Sequence, residues 1–140
     1  MYQELIDHLL ALRSLQDETG GFYALIPTAF HPRHTKFEHI SQASALRTLK
    51  VIAVSRLILD NFKYIKAYWV SAGLHIAQMA LSFGANDLDG VVREEKIYHT
   101  AGASSPQMQS EQELVRLINE AGLVAAERDT FYHVLKTYEP

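Results

Sequence analysis

Helical and strand-like apolar patterns alternate along this chain, and that alternation predicts an α/β fold. One helix comes first and about three strand–helix units follow it, which implies a parallel sheet with right-handed crossovers. Two observations carry the prediction. Apolar residues recur at helical spacing in separate stretches, and β-rich runs of strand length lie between them. Glycines stand at the junctions, at Gly20 and Gly21, Gly73, Gly84 and Gly122, where chain reversals need backbone that other residues adopt reluctantly. At 140 residues the chain is one domain at most, long enough to bury a core and short for the larger α/β architectures.

Over residues 2–16, Leu5, Leu9 and Leu12 recur with Ile6 and Leu10 beside them and Glu4, Asp7 and Arg13 opposite, an amphipathic helix that ends before Gly20. Residues 22–30 read as a strand, almost wholly apolar as expected when both faces are covered. Pro27 argues for an edge position or a bulge there. A loop with His31, Arg33, His34 and Lys36 follows that strand's carboxyl end, where α/β folds place ligands. Residues 43–61 form a long helical pattern whose stripe of Leu46, Leu49, Ala53, Val54, Leu57 and Ile58 would cover a sheet. The second strand is expected over 65–72 and a buried third helix over 74–83. Ser110 followed by Glu113 is a capping box that opens a helix running to Gly122. Residues 124–127 add a short strand, and Asp129 is expected to cap a final helical turn or two over 129–135.

Chemistry-bearing residues concentrate in FGANDLDGVVREEKIYHTAGA, residues 83–103. Its strand core, 87–92, is entered through Gly84 and interrupted by Gly90, a candidate pocket floor because a glycine inside a strand marks a bulge or a close approach.

Bulk properties exclude several functions. The net charge is -3 with seven histidines counted neutral, and Lys and Arg are scattered singly, so no basic face for nucleic acid is expected. No apolar run approaches a membrane span, and Glu4, Asp7, Asp17 and Glu18 argue against a signal peptide, so a cytoplasmic location is expected. The absence of cysteine excludes disulfides, a thiolate metal site, a cysteine nucleophile and any thiolate-held cluster on this chain alone.

Candidate site residues divide by position. His31 sits just after a strand, either at a ligand or capping loop backbone. Tyr68 and Trp69 are expected on opposite faces of their strand, so one ring at most faces a pocket. Asn86, Asp87 and Asp89 open the third strand. Two carboxylates on one face position a proton or a cation, or bind loop backbone. Glu95 and His99, four apart, would share a helix face, a weak metal signal beside a surface ion pair or cap.

The segments GGFYALIPTAFHP, LKVIAVSRLILDNFKYIKAYWVSAG, FGANDLDGVVREEKIYHTAGA and RDTFY resemble, in order and spacing, the carboxyl-terminal part of the aminofutalosine synthases. These are radical S-adenosylmethionine transferases of the futalosine route to menaquinone. The EEKIYH run after LDG distinguishes this pattern from the sibling cyclases and deazaflavin-cofactor synthases, and His34 departs from the asparagine the family more often carries. The resemblance implies a partial TIM-type barrel, its last three or so parallel strand–helix units preceded by a helix. It implies an enzyme that joins an adenosyl radical to the enolpyruvyl ether of 3-hydroxybenzoate. His31, Trp69, Asn86, Asp87, Lys96 and His99 would line the substrate pocket, with Lys96, Arg93 and His99 answering the substrate's carboxylates, and Phe30 would wall the cofactor.

The family's CxxxCxxC motif has no counterpart here, so no cofactor is expected on this chain. The complete enzyme would use S-adenosylmethionine and a four-iron four-sulfur cluster. A barrel arc exposes a sheet edge and an apolar inner face, so the expected partner is a second copy in a homo-oligomer or a complementary amino-terminal barrel half. Two other readings stay open: a non-catalytic interaction module, and a metal-assisted hydrolase built on Glu95, His99 and His31.

Overall fold

The computed structural model describes residues 2–91, 96–101 and 108–139. Helix α1 (Tyr2–Thr19) leads into strand β1 (Ala24–Leu25), helix α2 (Ala45–Ile58) and strand β2 (Tyr64–Ala67). Helices α3 (Trp69–Ala72) and α4 (Leu74–Leu81) connect to strand β3 (Asp87–Leu88). Helices α5 (Ile97–Thr100) and α6 (Glu111–Glu120) then precede strands β4 (Ala125–Arg128) and β5 (Val134–Tyr138). The sheet order is β1-β2-β3, and both pairings are parallel, with Ala24 opposite Tyr64 and Lys66 opposite Asp87. The α/β alternation is therefore present, carried by strands shorter than the sequence suggests.

Each shortening has a local cause. β1 stops at Leu25, ahead of Pro27, which cannot donate to a ladder. The strand expected over 65–72 is strand only to Ala67. The Tyr68 carbonyl then accepts the N–H groups of Ser71 and Ala72 at 3.2 and 3.0 Å, and Gly73, at φ 85°, closes α3 by donating to Trp69 O. Tyr68 and Trp69 are consequently not alternating strand positions, and Trp69 turns fully into the core. Of the third strand expected over 87–92, two residues pair, and Val92 lies outside the described residues.

The final helical turn expected over 129–135 is instead an antiparallel hairpin, β4 with β5. Asp129 caps its turn, accepting the N–H groups of Phe131 and His133 at 2.8 and 2.9 Å, while Tyr132 takes φ 67°. A β-rich run after the turn, Val134–Tyr138, and a turn-forming aspartate explain the outcome, with Ala125–Arg128 held as strand by its partner rather than by its own propensity.

Helices α2 and α4 cover one face of the sheet, where Ile52, Ile65, Ala67, Trp69, Ala80 and Leu114 belong to one buried cluster. A second cluster, Leu9, Leu59 and Phe62, seats α1 on the end of α2. α6 begins as predicted, with Ser110 Oγ accepting the Glu113 N–H at 3.2 Å. On β2, Tyr64 and Lys66 alternate with buried Ile65 and Ala67 and so point away from the helices. The helix-free face is therefore charged and aromatic at its centre rather than apolar. The hairpin tip lies against it, with Tyr132 stacked on Tyr64 at 4.1 Å between ring centres.

Candidate functional site

The carboxyl ends of β1, β2 and β3 share one side of the sheet because all three strands run parallel. The segment after β1 carries His31, which is 7 % exposed. Its Nε2 lies 2.9 Å from Ser71 O, and its Nδ1 lies 3.3 Å from Gln42 Nε2. A carbonyl only accepts, so Nε2 donates and Nδ1 takes the amide N–H of Gln42. Ser71 Oγ also contacts Ala29 N and O, each at 3.2 Å, tying the segment after β1 to the helix after β2. Tyr98 of α5 meets the His31 ring edge-on at 5.4 Å and the Tyr68 ring edge-on at 5.4 Å. Both tyrosines are half-buried. His31 is thus a fixed post with both ring nitrogens occupied, and the groups around it that still reach solvent are Tyr68, Tyr98, Gln42 and Phe30.

A second constellation crosses the helix-free face. Arg128 of β4 grips Asp87 with two parallel bonds, Nε to Oδ1 at 2.8 Å and Nη2 to Oδ2 at 2.7 Å. Lys66 stands between the two aspartates, 3.6 Å from Asp87 and 2.6 Å from Asp89. The Asp89 carbonyl accepts the Trp69 indole N–H at 3.1 Å. Tyr132 lies under the Arg128 guanidinium at 3.8 Å and reaches Asp87 Oδ2 at 3.4 Å. The hydrogen bond to Asp87 holds Arg128 above its ordinary pKa, and burial, followed by the charge of Asp87, pushes the Tyr132 hydroxyl up. Two cations against two carboxylates leave this network neutral, which fits side chains that keep 8 to 21 % of their surface exposed.

The sequence-predicted residues therefore separate. His31 and Phe30 stand at the carboxyl ends, Phe30 half-exposed with its ring edge-on to Phe37 at 6.0 Å. Trp69 is core behind them. Asn86 stands at the opposite, amino-terminal ends of β2 and β3, accepting from Ile65 N and Arg56 Nη2, both at 2.9 Å, and donating to Lys63 O at 3.0 Å. Asp87 opens β3 and is engaged by Arg128. Lys96 is exposed just before α5. Arg93, Glu95 and the His99 side chain lie outside the described residues. Gly90 lines a cleft beside β3, and a Cβ built on it meets nothing within 4 Å.

Sequence reasoning passed over Gln42, Ser71, Tyr98, Lys66, Arg128 and Tyr132. Lys66 alone carried a local signal, as a charge alternating with Ile65 and Ala67 in a strand.

Among the described residues no group of three or more His, Asp or Glu is placed to hold a metal ion, and no helix is long and apolar enough to cross a membrane. A four-iron four-sulfur cluster needs thiolates, and a chain with no cysteine does not fit it.

Residues 19–140 match the family described as the CofH/MqnC C-terminal region. The chain is 40% identical to the aminodeoxyfutalosine synthase of Thermus thermophilus over 98% of its own length and 38% of that protein's. It is 36% identical to the cyclic dehypoxanthine futalosine synthase of Streptomyces coelicolor, with 97% of the chain and 34% of the relative covered. It is 40% identical to the 5-amino-6-(D-ribitylamino)uracil--L-tyrosine 4-hydroxyphenyl transferase of Archaeoglobus fulgidus, with 96% and 40% covered. The chain thus spans less than half the length of these relatives. With 122 of its 140 residues inside the match (140 − 19 + 1), the chain belongs to the CofH/MqnC C-terminal region family.

Proposed function

We propose that this chain is the carboxyl-terminal part of an aminofutalosine synthase, an arc of a TIM-type barrel that supplies one side of the substrate pocket and has no catalysis of its own. The observation that carries the reading is the His31, Tyr68 and Tyr98 assembly at the carboxyl ends of the parallel strands, the end where such barrels build their sites. Overall identity does not separate the activities, being 40% to the aminodeoxyfutalosine synthases of Thermus thermophilus and Streptomyces coelicolor and 40% to the Archaeoglobus fulgidus transferase; the EEKIYH run is what favours this activity over its siblings.

In this reading Phe30, Tyr68 and Tyr98 wall the adenosyl and enolpyruvyl groups and exclude water, while His31 holds the wall in register. Lys96 and His99 answer the carboxylates of the enolpyruvyl ether of 3-hydroxybenzoate. The cluster's thiolates come from another segment, and the chain's partner is a complementary amino-terminal barrel half or, in its absence, further copies of itself.

The test is a chimera in which this chain replaces the matching part of the Thermus thermophilus synthase. It should form aminofutalosine, and Tyr98→Ala should lower kcat/KM by about tenfold or more, as loss of a positioning contact does. A folded, cluster-loaded chimera that makes no product would overturn the reading.

A further inference from the structure

We infer that Arg128 and Lys66 are positioning residues for the pocket: Arg128 occupies Asp87, which leaves Lys66 to hold Asp89, and Asp89 fixes the carboxyl end of β3. The inference rests on the function proposed above and adds the residues that set one wall of its pocket. One lysine stands between two carboxylates. Lys66 is opposite Asp87 in the β2–β3 register, yet its Nζ lies 3.6 Å from Asp87 and 2.6 Å from Asp89. The Asp87 side chain keeps 8 % of its surface exposed against 17 % for Asp89, so an unpaired charge costs more at Asp87. Asp87 would therefore draw Lys66 to itself if no other cation reached it.

Arg128 removes that competition. Its two bonds to Asp87, at 2.8 and 2.7 Å, are the bidentate kind that satisfies a carboxylate. Without them Asp87 would keep the Tyr132 hydroxyl at 3.4 Å, a long contact that does little to offset the burial of a charge. The hairpin thus decides which aspartate the lysine serves.

Asp89 is fastened twice, its carboxylate by Lys66 and its carbonyl by the Trp69 indole N–H at 3.1 Å. Immediately beyond it Gly90 and Val91 are exposed, and a Cβ built on Gly90 meets nothing within 4 Å. Burial does not hold the chain there, so the Asp89 contacts set where it leaves the sheet. Trp69 is fully buried and opens α3, the four-residue helix whose Ser71 O holds His31. The segment after β1 and the end of β3 therefore hang on one short helix. An Asp89 that lost Lys66 would let its carbonyl leave Trp69, and the end of β3 would shift relative to the His31, Tyr68 and Tyr98 assembly.

Trp69 is the chain's single tryptophan, so its indole proton, read by nuclear magnetic resonance, reports the Asp89 contact in the folded state. Arg128→Met and Lys66→Met should each move that proton upfield, as loss of its acceptor does. Adding Asp87→Asn to Arg128→Met removes the competing carboxylate and should return the resonance to its place; adding it to Lys66→Met should not. A bridge that merely ties hairpin to sheet would lower the unfolding midpoint on Arg128→Met and leave the folded-state resonance unmoved, which would overturn the inference. Should Arg128→Met not fold, Lys66→Met keeps the bridge to Arg128 and tests the same contact, and an unmoved indole there overturns the inference equally. In the covalent chimera both single variants should lower kcat/KM about tenfold or more. An active chimera indifferent to both sinks the positioning role and spares the function; a displaced and rescued indole beside an inactive chimera does the reverse.

Discussion

At the residue scale the tightest constraint is at Gly84. Its φ is 104°, and an added Cβ would lie 2.7 Å from Arg56 Cβ and 2.9 Å from Arg56 Cγ. Arg56 has no room to yield, because its guanidinium donates to Gly84 O, Phe62 O and Asn86 Oδ1, each at 2.9 Å. Burial pushes this arginine's pKa down from its ordinary value, and the three acceptors offset part of that cost. Gly84→Ala therefore combines a backbone conformation hostile to a side chain with a clash against helix α2. We expect a loss of about 2 kcal/mol or more in urea unfolding. A change within about 0.5 kcal/mol would show that the α2–β3 junction relaxes freely. His31 was legible from sequence because a histidine immediately after a strand stands out. Its partners were not, because Ser71 is 40 residues away and Gln42 eleven, separations that only the packing of β1 beside β2 closes.

At the element scale the helices were the legible part. Ser110 with Glu113, and the glycines after residue 19, mark ends through local hydrogen bonds that sequence spacing exposes. The hairpin was misread because an aspartate accepting N–H groups two and four residues on opens a turn as readily as a helix. That aspartate makes the hairpin sensitive to acid. The His133 backbone N–H, aided by its side chain and by the Phe131 N–H, holds the Asp129 carboxyl below the usual range. A depressed folded value means that the unfolded chain binds the proton more readily. The stabilisation is then complete above the ordinary aspartate value, near 4, and is lost as pH falls through the lower folded one. Amide protection in β4 and β5, taken relative to the unfolded chain at the same pH, should fall below about pH 4, and Asp129→Ala should show the lowered protection already at pH 7 with that acid dependence gone. An unchanged acid response in the variant would assign the effect to another carboxylate.

At the scale of the whole molecule, the question is how this chain behaves without the partner proposed for it. A sheet stacked face to face on a second copy would bury Lys66, Asp87 and Asp89 against like groups and displace the hairpin tip from Tyr64, both costly. The β1 edge has neither obstacle. Among the described residues no strand pairs with its outer side, and Ile26, Phe30, Phe37 and Ile40, beyond its carboxyl end, are between 45 and 51 % exposed. A free edge beside apolar surface is where strands from two copies join, and antiparallel pairing about a two-fold axis closes the contact after one partner. The chain alone should therefore dimerise with increasing concentration in light scattering. Ile26→Lys, a charge beside the pairing edge, should raise the dissociation constant about tenfold or more, whereas Ile118→Glu, on the opposite edge, should leave it unchanged. A monomer at micromolar concentration and above would mean that the β1 edge is protected without a partner.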